Sequence, residues 1–192
     1  MVSSARPLII RLSRSLCAAL LAINTLGGAA TVWADAPAGG EPTLIVAPSA
    51  ATALSTAPLS AIEQIEFALL ARVNADRAAH GLELLQPDPE IVAVARTRAA
   101  AQVLLPSLSH YDPAGKVAIQ NLLAGSTYNL AGENLARLRA DDTEAAHQAE
   151  VALMNSPTHR KNILEPRFNR LAIGLARSPD GRLIFAQIFR AV

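Results

Sequence analysis

Two apolar runs of strand length close the chain, Leu171–Ala176 and Leu183–Phe189, and the turn signal Ser178-Pro179-Asp180-Gly181 stands between them. Runs this short and this apolar, bounded by Pro and Gly, read as strands, and the pair reads as a β-hairpin. A lone hairpin is marginal in water. This one needs a further strand or a layer of helices, and the residues before it carry helical periodicity. Helices first and strands last predict an α+β fold with helices packed on an antiparallel sheet.

The helical signals are local and specific. Ser60-Ala61-Ile62-Glu63 is a capping box. Ile62, Ile65, Leu69 and Val73 then fall on one face until Gly81 ends the helix. Pro87-Asp88-Pro89-Glu90 predicts a second helix, with Asp88 as N-cap and Pro89 in the first turn. Its inward positions are Ile91, Val94, Ala95, Arg98 and Val103, and Pro106 stops it. A third, short helix is expected from Asp112-Pro113 through Leu123, and a fourth from Asp141 to Met154 with acids in its first turn. Pro157 opens a short turn that carries His159.

The N-terminus reads as a leader over residues 1–34. Arg6, Arg11 and Arg14 make a basic start, Leu16–Leu26 is an apolar run, and Val32-Trp33-Ala34 supplies small residues of the kind a signal peptidase reads. Cleavage is expected after Ala34, giving a secreted or periplasmic protein. The alternative is an uncleaved membrane anchor, because Ser15–Trp33 is uncharged over nearly the ~20 residues that span a bilayer. Residues 35–59, rich in Ala, Pro, Ser, Thr and Gly, read as a flexible linker with one apolar patch, Leu44-Ile45-Val46. Residues 60–192 form one domain.

Cleavage changes the charge balance. The whole chain has 17 basic and 16 acidic residues; a leader with three Arg and no acid leaves 14 against 16, a net of −2. No basic stripe suggests nucleic acid as a partner. The single Cys and the single Trp, Cys17 and Trp33, both fall in the leader. The domain then has no disulfide and no cysteine nucleophile, and its core alone must hold it.

Three polar stretches interrupt the Ala/Leu-rich scaffold: Ser109-His110, Gly132-Glu133-Asn134 and Ser156-Pro157-Thr158-His159-Arg160. Two imidazoles and a carboxylate can bind a metal, or can pass protons among themselves and a substrate. Each also has a plainer reading: His110 as an exposed loop residue, Glu133 as a turn or strand-edge acid, His159 as a polar residue at a helix start. His80 sits before Gly81, where a helix C-terminus favours partial positive charge. His147 is expected on the solvated side of the fourth helix.

Taken together, Val73-Asn74-Ala75-Asp76-Arg77, Leu108–Gly115, Gly132–Ala136, Met154–Leu164, Ile173-Gly174 and Ala186-Gln187-Ile188-Phe189 resemble the CAP superfamily (cysteine-rich secretory proteins, antigen 5 and pathogenesis-related 1), in its cysteine-free bacterial SCP-like branch. The resemblance runs from about Ile65 to Phe189. It implies a three-layer α-β-α sandwich with a central antiparallel sheet. It also implies a large cleft lined in animal and plant members by two His and two Glu. By position His110, Glu133 and His159 match three of those four. Where those members have Trp and, three residues on, the second Glu, this chain has Leu153 and Ser156.

The expected cleft comprises His110, Glu133, Asn134, Ser156, His159 and Gln187. His110, Glu133 and His159 are the candidate ligands of Zn²⁺ or another divalent cation. The leading expectation is an exported, non-catalytic binding module that holds such a metal and a small amphipathic or lipid ligand or an envelope component. One alternative is a hydrolase. In one form Glu133 acts as base for a metal-bound water held by His110 and His159; in the other, Ser109 or Ser156 attacks near His159. A third is a structural or adhesion surface. Catalytic candidates are Glu133, His159 and Ser156.

Overall fold

A computed structural model describes Ser3–Ser4, Leu8–Arg11 and residues 58–192. The chain divides into two units, Met1–Ser13 with Leu59–Val192 and Arg14–Pro58. All of the second unit but Pro58 lies outside the described residues, as do the cleavage site, the Ser15–Trp33 segment and nearly all of the linker. Among the described residues no helix is long and apolar enough to cross a membrane.

The strands are β1 (Ser3–Ser4), β2 (Leu8–Arg11), β3 (Gln86–Pro87), β4 (Leu130–Leu138), β5 (Arg170–Arg177) and β6 (Leu183–Ala191). The expected hairpin is present: β5 and β6 pair antiparallel, with Gly174 opposite Ala186. The further strand it needs is β4, which pairs antiparallel with the other edge of β6, placing Glu133 opposite Ile188 and Asn134 opposite Gln187. Short β3 adds one parallel pairing at β5. The outer edge of β4 is met by β2, with Leu8 opposite Glu133 and Arg11 opposite Leu130, and by β1. The sheet thus extends into the stretch read as leader; the apolar run Leu8-Ile9-Ile10 satisfies an edge whose backbone groups would otherwise be open.

Strand alternation sorts the core into two layers. Ala136, Phe185, Phe189, Leu171 and Ile173 face α1 (Ala61–Ala79), α4 (Asp142–Met154) and α5 (Pro157–Ile163), where they join Leu69, Val73, Ala149 and Leu153. Ala131, Ala172 and Ile188 face α2 (Val92–Ala101) and α3 (Ala118–Leu122), with Ile91, Ala95 and Ile119. Leu135, Ile184 and Ala186 continue that second face toward Ala99 and Leu108. Helices on both faces make the α-β-α sandwich. α2 lies very close to β5, over Gly174, where a Cβ would come within 2.1 Å of the Ala95 carbonyl carbon.

The capping box at Ser60 is formed as expected. Asp88 is not an N-cap. It is buried and paired with Arg190 at 2.7 and 2.8 Å, and α2 begins only at Val92, behind an Ile91 cap. The third helix is also shorter than expected, because Asp112 holds a loop: its Oδ1 accepts from the Ala114 and Lys116 amides, both at 2.9 Å. Buried Arg77 ties the end of α1 to the loop after α5, donating to the carbonyls of Ile163 at 2.7 Å and Glu165 at 3.0 Å.

One core position is costly. Glu150 on α4 is 5% exposed; burial, then the nearby Asp76, push its carboxyl from the usual 4.5 up to about 9. A carboxyl raised in the folded state contributes most below its unfolded pKa, and the contribution drains away as pH climbs toward 9. Glu150→Gln is therefore expected to raise stability at pH 8 by on the order of 3 kcal/mol and to change little at pH 4. Urea denaturation at the two pH values measures it.

Candidate functional site

Glu133 and Asn134 are neighbours in β4, so the pleat sends them to opposite faces of the sheet. Each organises a different set of partners.

On the α2 face Glu133 is fully buried and doubly held. Arg98 of α2 donates Nε to Oε1 at 2.7 Å and Nη2 to Oε2 at 3.1 Å. The His110 Nδ1 lies 2.6 Å from Oε2. A carboxylate only accepts, so Nδ1 carries the proton and the ring is fixed in one orientation. The other ring nitrogen, Nε2, is buried and has no hydrogen-bond partner among the described residues. Arg98 Nη2 also donates to the Ser109 carbonyl at 2.8 Å, so one guanidinium fixes both the acid and the loop that carries the imidazole. Gln102 adds a third tether, its Oε1 accepting from the Ser109 amide at 2.8 Å.

The loop itself is rigid. The Ala118 amide donates to the His110 carbonyl at 2.9 Å, Tyr111 bridges to Val117, and Asn121 donates to Asp112 Oδ2 at 3.1 Å. Between this loop, α2 and α3 lies a cavity of about 630 Å³, lined by Arg98, Ala101, Gln102, Leu105, Pro106, Ser109, Tyr111 and Leu122 among others. Its wall is mainly apolar, and half-exposed Tyr111 stands at its side. The Ser109 hydroxyl accepts from the Tyr111 amide at 3.1 Å, which engages it in the turn.

On the opposite face Asn134 donates to the His159 carbonyl at 3.1 Å and to Gln187 Oε1 at 3.0 Å, and Asn162 donates to Asn134 Oδ1 at 2.9 Å. These bonds dock α5 onto β4. Ser156 is the N-cap residue of α5, and its hydroxyl lies 3.1 Å from that of Thr158.

The expected six-residue cleft is therefore two sites. His110 and Glu133 meet on one face; Asn134, Gln187, Ser156 and His159 belong to the other. The contacts described join His110 to Glu133 on one face, and Asn134 to Gln187 and the His159 carbonyl on the other. Among the described residues no three His, Cys, Asp or Glu side chains are placed to hold a metal ion. Arg98, which completes the acid–imidazole pair, had one signal in the sequence: a charge at a position of α2 that faces the core.

The sequence pattern of the cysteine-rich secretory protein family (CAP) matches residues 70–189. The Bacillus subtilis (strain 168) protein YkwD is 30% identical over 128 residues, 66% of this chain and 48% of its own. The chain thus spans about half the length of that relative. An outer surface protein of Borrelia burgdorferi superimposes with a TM-score of 0.57 at 20% identity, covering 69% of this chain and 95% of that one. An extracellular SCP-domain protein of Bacillus anthracis str. Ames does so with a TM-score of 0.53 at 26% identity, covering 71% and 45%.

Proposed function

The chain belongs to the cysteine-rich secretory protein family, CAP, and on that footing we propose that it is an exported binding module whose α2–α3 cleft takes a small amphipathic ligand. The observation that carries this reading is the mainly apolar cavity of about 630 Å³ between α2, α3 and the His110 loop, with Arg98, Ser109 and Tyr111 in its lining. Half-exposed Tyr111 on its lining would meet a ligand's hydroxyl or carboxyl. The apolar wall of Ala101, Leu105 and Leu122 would take the ligand's hydrocarbon part. Export fits the outer-surface and extracellular proteins among the structural neighbours. The hydrolase reading has less support, because the Ser109 hydroxyl is held in its own turn and Ser156 lies across the sheet from His110.

The test uses a fluorescent fatty acid and a fluorescent sterol as probes on the full chain. Saturable binding of either is expected. Ala101→Trp, which fills the cavity, should abolish it, and Tyr111→Phe should weaken it roughly 5- to 10-fold, the worth of one hydrogen bond. Binding that is absent, or indifferent to Ala101→Trp, sinks the reading.

A further inference from the structure

The α1–α4 seam holds a second polar pocket that the cleft does not explain. Arg72 and Asp76, one turn apart on α1, face His147 and Glu150 on α4 across a cavity of about 300 Å³. Glu150 is more than nine-tenths buried, and neither of its carboxyl oxygens has a hydrogen-bond donor among the described residues. The group it meets is the carboxyl of Asp76. Two carboxylates meet stably only over a proton or a cation. The cation at hand, Arg72, is turned elsewhere: its Nη1 donates to His147 Nδ1 at 3.1 Å.

We propose that Asp76 and Glu150 form a binding site for a primary ammonium group on a short alkyl chain. The chemistry of the pocket selects that class. An ammonium has three N–H donors and no acceptor, which suits two Glu150 oxygens and one from Asp76. A metal ion is disfavoured because no three described His, Cys, Asp or Glu side chains are arranged around one point. The fixed guanidinium of Arg72 repels a second positive charge, so monoamines are favoured over diamines. Ala75, Val151 and Met154 give the pocket an apolar side for a few methylenes. A free amine and a lysine side chain present the same ammonium, and the two probes below distinguish them.

Binding replaces the proton that keeps the buried Glu150 carboxyl neutral. One ammonium enters and one proton leaves to solvent, so affinity rises tenfold per pH unit below the pH at which Glu150 ionises.

The experiment is calorimetric titration of the full chain with n-butylamine, and separately with acetylated, amidated Gly-Lys-Gly. Each is run at pH 7 and pH 8, in two buffers of different ionisation heat. Saturable binding with one proton released, tightening about tenfold between the two pH values, is expected for at least one probe; which probe binds identifies the source. Glu150→Gln and Asp76→Asn, each verified as folded by circular dichroism, should lose the proton release and weaken binding at least tenfold. No saturable binding of either probe overturns the proposal, as does binding that persists unchanged in both variants. Neither outcome bears on the α2–α3 cleft, whose probes are fatty acid and sterol.

Discussion

Gly174→Ala is expected to leave no folded protein. Gly174 lies in β5 beneath α2, and an added Cβ would sit 2.1 Å from the Ala95 carbonyl carbon and 2.3 Å from both the Ala95 oxygen and the Arg96 nitrogen. All three are backbone atoms, so no rotamer change relieves the clash, and the helix itself must rise. That motion would strip Ile91, Ala95 and Ala99 from the sheet and pull Arg98 from Glu133. The loss exceeds about 4 kcal/mol, a large share of what a domain of this size has to lose. Soluble yield and a thermal melt read it out. Gly132→Ala is the control: its Cβ would meet the Phe168 ring at 2.9 Å, a side chain that can shift, and a cost of about 1–3 kcal/mol follows.

Glu133→Gln is expected to destabilise the domain by about 3–5 kcal/mol, because it leaves the guanidinium of Arg98 buried without its counter-charge. Arg98 is 3% exposed and Glu133 fully buried, so water cannot take over. The double variant Arg98→Met/Glu133→Leu should recover much of the loss, since it removes both charges and leaves apolar side chains of similar length. It should not restore the cleft: His110 would lack the acceptor that fixes its ring. Urea denaturation reports the first effect, and the imidazole proton resonances of His110 report the second. Equal stability in the single and double variants would show that a stranded Arg98 charge is not the source of the loss.

How far the sequence reaches can be followed residue by residue. The capping box at Ser60 and the Ser178–Gly181 turn are local signals, and both elements stand where those signals put them. The family pattern, read from about Ile65 to Phe189, agrees with the matched span of 70–189. The central strand pairing with β4 was not legible, because Gly132, Glu133 and Asn134 have poor strand propensity. They are strand only because β6 and the two helical layers hold them there. Asp88 misled for a related reason: an Asp before Pro is a good N-cap on local grounds, but a buried Arg190 102 residues away claims it. The site shows the same limit. That Glu133 holds an imidazole was readable; which one was not. The choice between His110 and His159 depends on the parity of one residue in a strand whose existence the sequence did not announce.

The order of the strands has a bearing on when this domain can exist. β6, the last of the described elements in chain order, occupies the middle of the sheet, with β4 on one side and β5 on the other. Until Leu183–Ala191 has been synthesised, β4 and β5 have no shared partner, and the two helical layers have no common floor. A nascent chain that has not yet reached β6 therefore stays open, and a stop before Leu183 yields a polypeptide with no route to the native sheet. Closure of the sheet waits on the nine residues of β6, which makes that strand the timing element of the fold.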